Sequence, residues 1–206
     1  MVDWINSATR RVPPWLIYIV APLPVAWFLY LGFTGGLGVE PIRELEHRLG
    51  ELALQVLLAV LAITPLRRYA GVNLLRFRRA LGLVCFFYVA LHLLVWLVLD
   101  VQIPAQIWAD IVKRPYITIG MLAFVLMIPL ALTSNNLSVR RLGRNWRKLH
   151  TLTYPAVLLG ALHFVLLRKG FQIEPLLYLG GAVLLLALRV KRRSPGRIAT
   201  PRGARG

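Results

Sequence analysis

Three histidines stand in or against long apolar runs. His92 lies in LGLVCFFYVALHLLVWLVL, and His150 and His163 lie in RRLGRNWRKLHTLTYPAVLLGALHFVLLRK. The chain has only four histidines in 206 residues. An imidazole is expensive inside a bilayer, and one found there usually marks function. Position along the helix sorts the three. His92 lies 13 residues beyond Arg79, about 20 Å along a helix axis. His163 lies 15 residues beyond Lys148, about 22 Å on the same rule. If both helices enter from one side, the two imidazoles reach nearly the same level. Two neutral imidazoles on two helices suit an iron held between them, and an apolar pocket suits a porphyrin. The plainer alternative is that each histidine bonds a neighbouring helix.

His150 is different. It precedes His163 by 13 residues, about 20 Å lower and about 140° around an ideal helix. Pro155 lies between them and can change that phase. The matching level of the earlier helix carries Arg78 and Arg79, not histidine. His150 therefore reads either as an interfacial residue or as a ligand of a second haem. In the second case its partner would be a non-histidine group, water or an open position. His47 sits among Arg43, Glu44, Glu46 and Arg48 and reads as a solvated loop or interfacial-helix residue. Cys85 is the one cysteine, so no internal disulfide can form, and mid-run it reads as packing. Without a CxxCH motif, haem cannot be attached covalently in the c-type manner. Glu44 and His47 have the Glu-x-x-His spacing only once, which does not suggest a di-iron or zinc site, and serine–histidine–acid sets and glycine-rich nucleotide loops are missing from the sequence. TGGLG reads as a flexible turn.

The elements that must position these residues are membrane helices. Hydrophobic residues make up 58% of the chain, charged residues 16%, and the mean hydropathy is +0.65, which argues against a soluble domain. Six apolar segments can be marked, at 14–33, 50–66, 80–99, 115–133, 149–167 and 175–190. Several fall short of the usual ~20 residues of a spanning helix. The second carries Glu51 and Gln55 in its first turns. The first lacks a small-residue cleavage site after its apolar run and reads as a retained helix. Pro13 and Pro14 suit its start, whereas Pro22 and Pro24 should kink it.

With the N-terminus inside, 19 of the 25 Lys and Arg residues face the cytoplasm and seven of the eight acids face the other side. The expected fold is an all-α integral membrane protein, a bundle of six transmembrane helices with both termini cytoplasmic. Residues 1–13 form a cytoplasmic N-terminus, 14–190 the membrane domain, and 191–206 a basic, disordered tail. The net charge of +17 then reflects topology and contact with anionic lipid, not nucleic acid. Trp96, Trp108 and Trp146 fall where an aromatic belt would. RRALG before the third segment is echoed by RRLG before the fifth, a shared way of anchoring a helix at the cytoplasmic face.

RPYITIG, LALTS and RRLGRNWRKLH, read in order with RRALGLVCFFYVALH upstream, closely resemble the MsrQ family. The likeness covers roughly residues 32–189 and extends to the wider ferric-reductase-like transmembrane group. It implies a haem b electron-transfer subunit of the bacterial inner membrane. Electrons would come from the quinone pool or from cytoplasmic reduced flavin, supplied by a flavin reductase. They would go to MsrP, a periplasmic molybdopterin enzyme that reduces methionine sulfoxide in oxidised proteins. The resemblance also implies FMN, without mapping a contact for it. It places the family's haem-associated histidines at His92, His150 and His163. Arg78 and Arg79 depart from the wider group's two histidines on each of two helices. Two other readings remain open at this stage: a stand-alone ferric or cupric reductase, and a transporter or structural membrane subunit without a redox cofactor.

Overall fold

A computed structural model describes residues 2–168 and 172–189. The tail expected at 191–206 lies outside the described residues. All regular structure among the described residues is helical. In chain order the helices are α1 (Val2–Arg11), α2 (Leu16–Val20), α3 (Pro22–Phe33), α4 (Pro41–Tyr69), α5 (Arg78–Val95), α6 (Pro104–Lys113), α7 (Pro115–Leu132), α8 (Asn136–Leu142), α9 (Arg144–Leu149), α10 (Thr153–Leu167) and α11 (Ile173–Ala187). Five stretches are long and apolar enough to cross a membrane: Leu16–Phe33, Pro41–Tyr69, Leu75–Val101, Pro115–Leu132 and Arg144–Leu167. The sixth expected span corresponds to α11, an apolar helix of 15 residues.

The second long helix begins at Pro41, nine residues before the apolar run that marks it in the sequence. Proline at the first helical position starts it. The pairs Arg43–Glu40 at 2.7 Å and Arg48–Glu44 at 2.7 Å then support turns that hydropathy alone does not register. His47 therefore stands on a continuous helix rather than in a loop. The TGGLG segment does turn, with Gly35 and Gly38 at φ +79° and +83°, where a side chain would be strained.

The core is apolar, and the most extensive helix contacts are α4 with α5 and α7 with α10. Leu61, Cys85, Val157, Ala161 and Ala182 meet at its centre. Cys85 is fully buried and its thiol donates to the Ala53 carbonyl at 3.3 Å, so it packs, as its position in the sequence indicates. Tyr88 donates to the Ala21 carbonyl at 2.7 Å, which ties α5 to the junction of α2 and α3.

Pro65 interrupts the hydrogen-bond ladder of α4, because it has no N–H to offer the carbonyl of Leu61. Arg189, just past α11, supplies the missing donors. Its Nε and Nη2 lie 3.0 and 2.6 Å from the Leu61 oxygen, and Nη2 lies 3.3 Å from the Val60 oxygen. An unpaired buried carbonyl costs about 1–3 kcal/mol. Arg189→Met should therefore lower thermal stability by about that amount and leave the histidine region intact, with Arg189→Lys in between. Melting curves of the three proteins in one detergent test this; equal midpoints would refute the role.

Candidate functional site

His92 and His163 are held by the same device, built twice. The Nδ1–H of His92 on α5 donates to the Glu46 carbonyl of α4 at 2.9 Å. The Nδ1–H of His163 on α10 donates to the Tyr116 carbonyl of α7 at 2.7 Å. A carbonyl can only accept, so each Nδ1 carries its ring's proton and each Nε2 keeps a free lone pair. Each histidine follows its carbonyl at nearly equal separation, 46 and 47 residues. The echo of RRALG and RRLG thus extends to the whole hairpin, α4 with α5 and α7 with α10.

A glycine lies four residues after each carbonyl, at Gly50 and Gly120. A helical carbonyl has two lone pairs, one bonded to the N–H four residues on and one open. The imidazole reaches that open lone pair past residue i+4. A Cβ at Gly50 would stand 3.0 Å from His92 Nδ1, and one at Gly120 would stand 2.8 Å from His163 Nδ1. These two glycines are the space into which the rings fit.

The imidazole ring centres are 6.2 Å apart, with their planes at 75°. Two imidazoles bound to a first-row metal from opposite sides have ring centres about 6.3 Å apart, since each metal–nitrogen bond is about 2.0–2.1 Å and each nitrogen lies about 1.1 Å from its ring centre. The observed separation of the ring centres is of the size that one metal ion held by both imidazoles would give. The rings line a cavity of about 640 Å³, within the range of about 300–1,000 Å³ for ligand pockets. Leu54, Leu57, Val89, Met127 and Phe164 give it apolar walls, and Arg43, His47, Asp100, Arg114 and Arg168 also line it. Residues and space alike suit a haem, with His92 and His163 as the groups able to hold its iron.

One sequence expectation is narrowed here and one shifts. His47, read as a solvated loop or interfacial-helix residue, stands half-buried on a helix and lines the cavity. Trp96, read as a belt residue, is buried and lines it too, at the start of a π-helical turn (Trp96–Val101) that closes α5. Trp108 on α6 is exposed, as a belt residue would be.

His150 is not brought to this cavity. It opens a 3-10 turn (His150–Leu152) ahead of α10, and its ring stacks on Trp146 at 3.9 Å. Its Nε2 lies 3.1 Å from the Thr133 hydroxyl, which spends its proton on the Pro129 carbonyl at 2.6 Å. His150 Nε2 must therefore be the donor, and only Nδ1 keeps a lone pair. Trp146 Nε1 donates to the Thr133 carbonyl at 2.9 Å and completes the cluster.

Residues 48–161 match the family model of the ferric reductase like transmembrane component. Three relatives are each named protein-methionine-sulfoxide reductase heme-binding subunit MsrQ. The one from Agrobacterium fabrum is 49% identical over 192 residues, 91% of this chain and 89% of its own. The one from Rhizobium meliloti is 52% identical over 181 residues, 87% of this chain and 83% of its own. The one from Brucella anthropi is 46% identical over 193 residues, 92% of this chain and 88% of its own. With paired imidazoles on one cavity, and relatives alike over nearly its whole length, the chain belongs to the MsrQ family of ferric-reductase-like transmembrane proteins.

Proposed function

We propose that the chain is a haem b electron carrier of the bacterial inner membrane. It takes electrons from the quinone pool, or from cytoplasmic reduced flavin, and passes them to the periplasmic methionine sulfoxide reductase MsrP. One observation carries the reading: His92 and His163, at 6.2 Å between ring centres, face one cavity with both Nδ1 atoms already committed. The relatives' description as heme-binding subunits supports it.

The topology proposed with it has six spans, α11 being the last, and both termini in the cytoplasm. At 15 residues α11 is about 22 Å long, shorter than the ~30 Å hydrocarbon core, so its flanks or a thinned bilayer make up the rest. The lysine and arginine distribution supports this orientation. The histidine pair then lies in the periplasmic half and His150 towards the cytoplasm. We assign His150 and Trp146 to the side where electrons arrive. The family resemblance implies FMN as a further cofactor.

In this reading the chain's residues ligate, orient and dry the site. His92 and His163 offer their Nε2 lone pairs. The carbonyls of Glu46 and Tyr116 fix both tautomers and raise the basicity of the free nitrogens. Leu54, Leu57, Met127 and Phe164 keep water from the pocket. A haem b bound there supplies a reversible one-electron change. Reduction of a sulfoxide to a thioether takes two electrons and two protons and releases water, and that chemistry belongs to the partner.

The test is a reduced-minus-oxidised absorbance spectrum of the detergent-purified chain, with haem counted against protein. A b-type low-spin signal at about one haem per chain is expected from one histidine pair. A well-folded, colourless preparation after haem-supplemented expression would end the reading.

A further inference from the structure

The cavity carries a buried N–H donor, on an arginine, that no acceptor among the described residues satisfies. Arg168 follows the last turn of α10, five residues after His163, and lines the cavity with both histidines. Its guanidinium carbon lies 5.7 Å from the Phe164 ring centre. Its Nε is buried and has no hydrogen-bond partner among the described residues. A buried N–H without a partner costs stability until it finds an acceptor, and one on a guanidinium favours an anionic acceptor.

The chain's own acids do not provide them. Among the described residues no carboxylate lies in ion-pair contact with Arg168. Two other arginines lining the cavity are already matched. Arg43 pairs with Glu40 at 2.7 Å, and Arg114 pairs with Asp110 at 3.2 Å and donates to the Tyr116 hydroxyl at 3.2 Å. Glu51 accepts from Gln55 and from Tyr178. Glu46 and Asp100 line the cavity without reaching Arg168. The unmatched donor thus sits just past the helix that carries His163, on a residue that lines the space a porphyrin would fill.

We propose that Arg168 seats a carboxylate, and that this carboxylate is a propionate of the bound haem. The inference rests on the haem reading above. A guanidinium fork matches a carboxylate in shape and charge, and Nε with one terminal nitrogen can donate to both oxygens. Because the sequence has no covalent haem attachment motif, such a contact adds a third point of hold beside the two imidazoles. It also sets which edge of the porphyrin faces Arg168.

The experiment compares iron protoporphyrin IX with its dimethyl ester, whose propionates carry no charge. Each is titrated into the haem-depleted full chain in detergent and followed by Soret absorbance. The parent chain should bind the free acid about ten- to a hundredfold more tightly than the ester. Arg168→Gln should shrink that preference to less than about threefold while both porphyrins still give a low-spin spectrum. Arg168→Lys, which keeps the charge but not the fork, should fall between. Equal affinities in the parent chain, or an undiminished preference in Arg168→Gln, would overturn the seat and leave the haem reading standing. No low-spin spectrum with either porphyrin in the parent chain would overturn both. The comparison in the parent chain decides without any substitution, should Arg168→Gln not fold.

Discussion

His92→Ala and His163→Ala should each abolish the low-spin b-type spectrum and cut the haem retained per chain by at least about tenfold. The scale comes from metal sites, where loss of a group that only supports a ligand typically costs 10–100-fold in affinity, and a lost ligand costs no less. The two variants should look alike, because the rings are held alike. Each has Nδ1 on a carbonyl of the partner helix, a glycine behind it and Nε2 free. Either truncation leaves a hole the size of the missing ring, so added imidazole should restore low-spin absorbance in both. Full low-spin absorbance in both alanine variants would sink the ligation scheme. His150→Ala provides the contrast. Its ring is engaged by Trp146 and Thr133 away from the cavity, so the spectrum of the His92–His163 site should survive its loss. Loss of that low-spin signal would show that the cluster supports the site from a distance. Loss of electron uptake with the spectrum kept fits a place on the donor side.

What the sequence reveals follows from what hydropathy and residue type encode. Apolar runs bounded by arginines show the helices, and depth measured from those arginines pairs His92 with His163. The same depth sets His150 apart, as the cavity does. The polar start of α4 is missed for the same reason: a scale that scores burial in lipid does not see turns held by Arg43–Glu40 and Arg48–Glu44. Of the two readings of His47, loop or interfacial helix, the structure has the helix. The carbonyls of Glu46 and Tyr116 leave no trace at all, since every residue has a carbonyl. Arg189 reads only as one more cytoplasmic arginine until Pro65 on another helix gives it an acceptor. Arg168 reads as a helix-end charge until its Nε is found buried. These are relations between distant residues, and residue type alone does not state them. Gly50 and Gly120 did leave a signal. Glycine within a helix is unfavourable by about 0.8–1.0 kcal/mol relative to alanine, so each asks for a reason. Here the reason is the imidazole packed against it.

That reason makes Gly120→Ala the sharper probe of the site. In an ordinary helix interior the change would stabilise the fold by about 0.8–1.0 kcal/mol. Here the new methyl would lie 2.8 Å from Nδ1, 3.0 Å from Cε1 and 3.2 Å from Cγ of His163, so the ring has to move. The obstacle is one face of a flat ring anchored to the Tyr116 carbonyl at 2.7 Å, not the free end of a flexible chain. Moving it breaks that hydrogen bond and shifts the ring from its place beside His92. Haem affinity should fall about 10–100-fold, the usual consequence of losing a ligand's supporting contact, while the haem-free chain melts close to the parent, because the helix-propensity gain offsets part of the lost hydrogen bond. Gly50→Ala should act in the same direction but less, because its methyl would meet His92 at 3.0, 3.1 and 3.6 Å. Haem titration and thermal melts of both variants separate this from general damage. A misfolded chain loses most of its stability together with its haem, whereas a displaced imidazole loses haem with only a small change in melting. If Gly120→Ala takes up haem as the parent does, the ring has room that the structure denies it, and the glycine is not what positions His163.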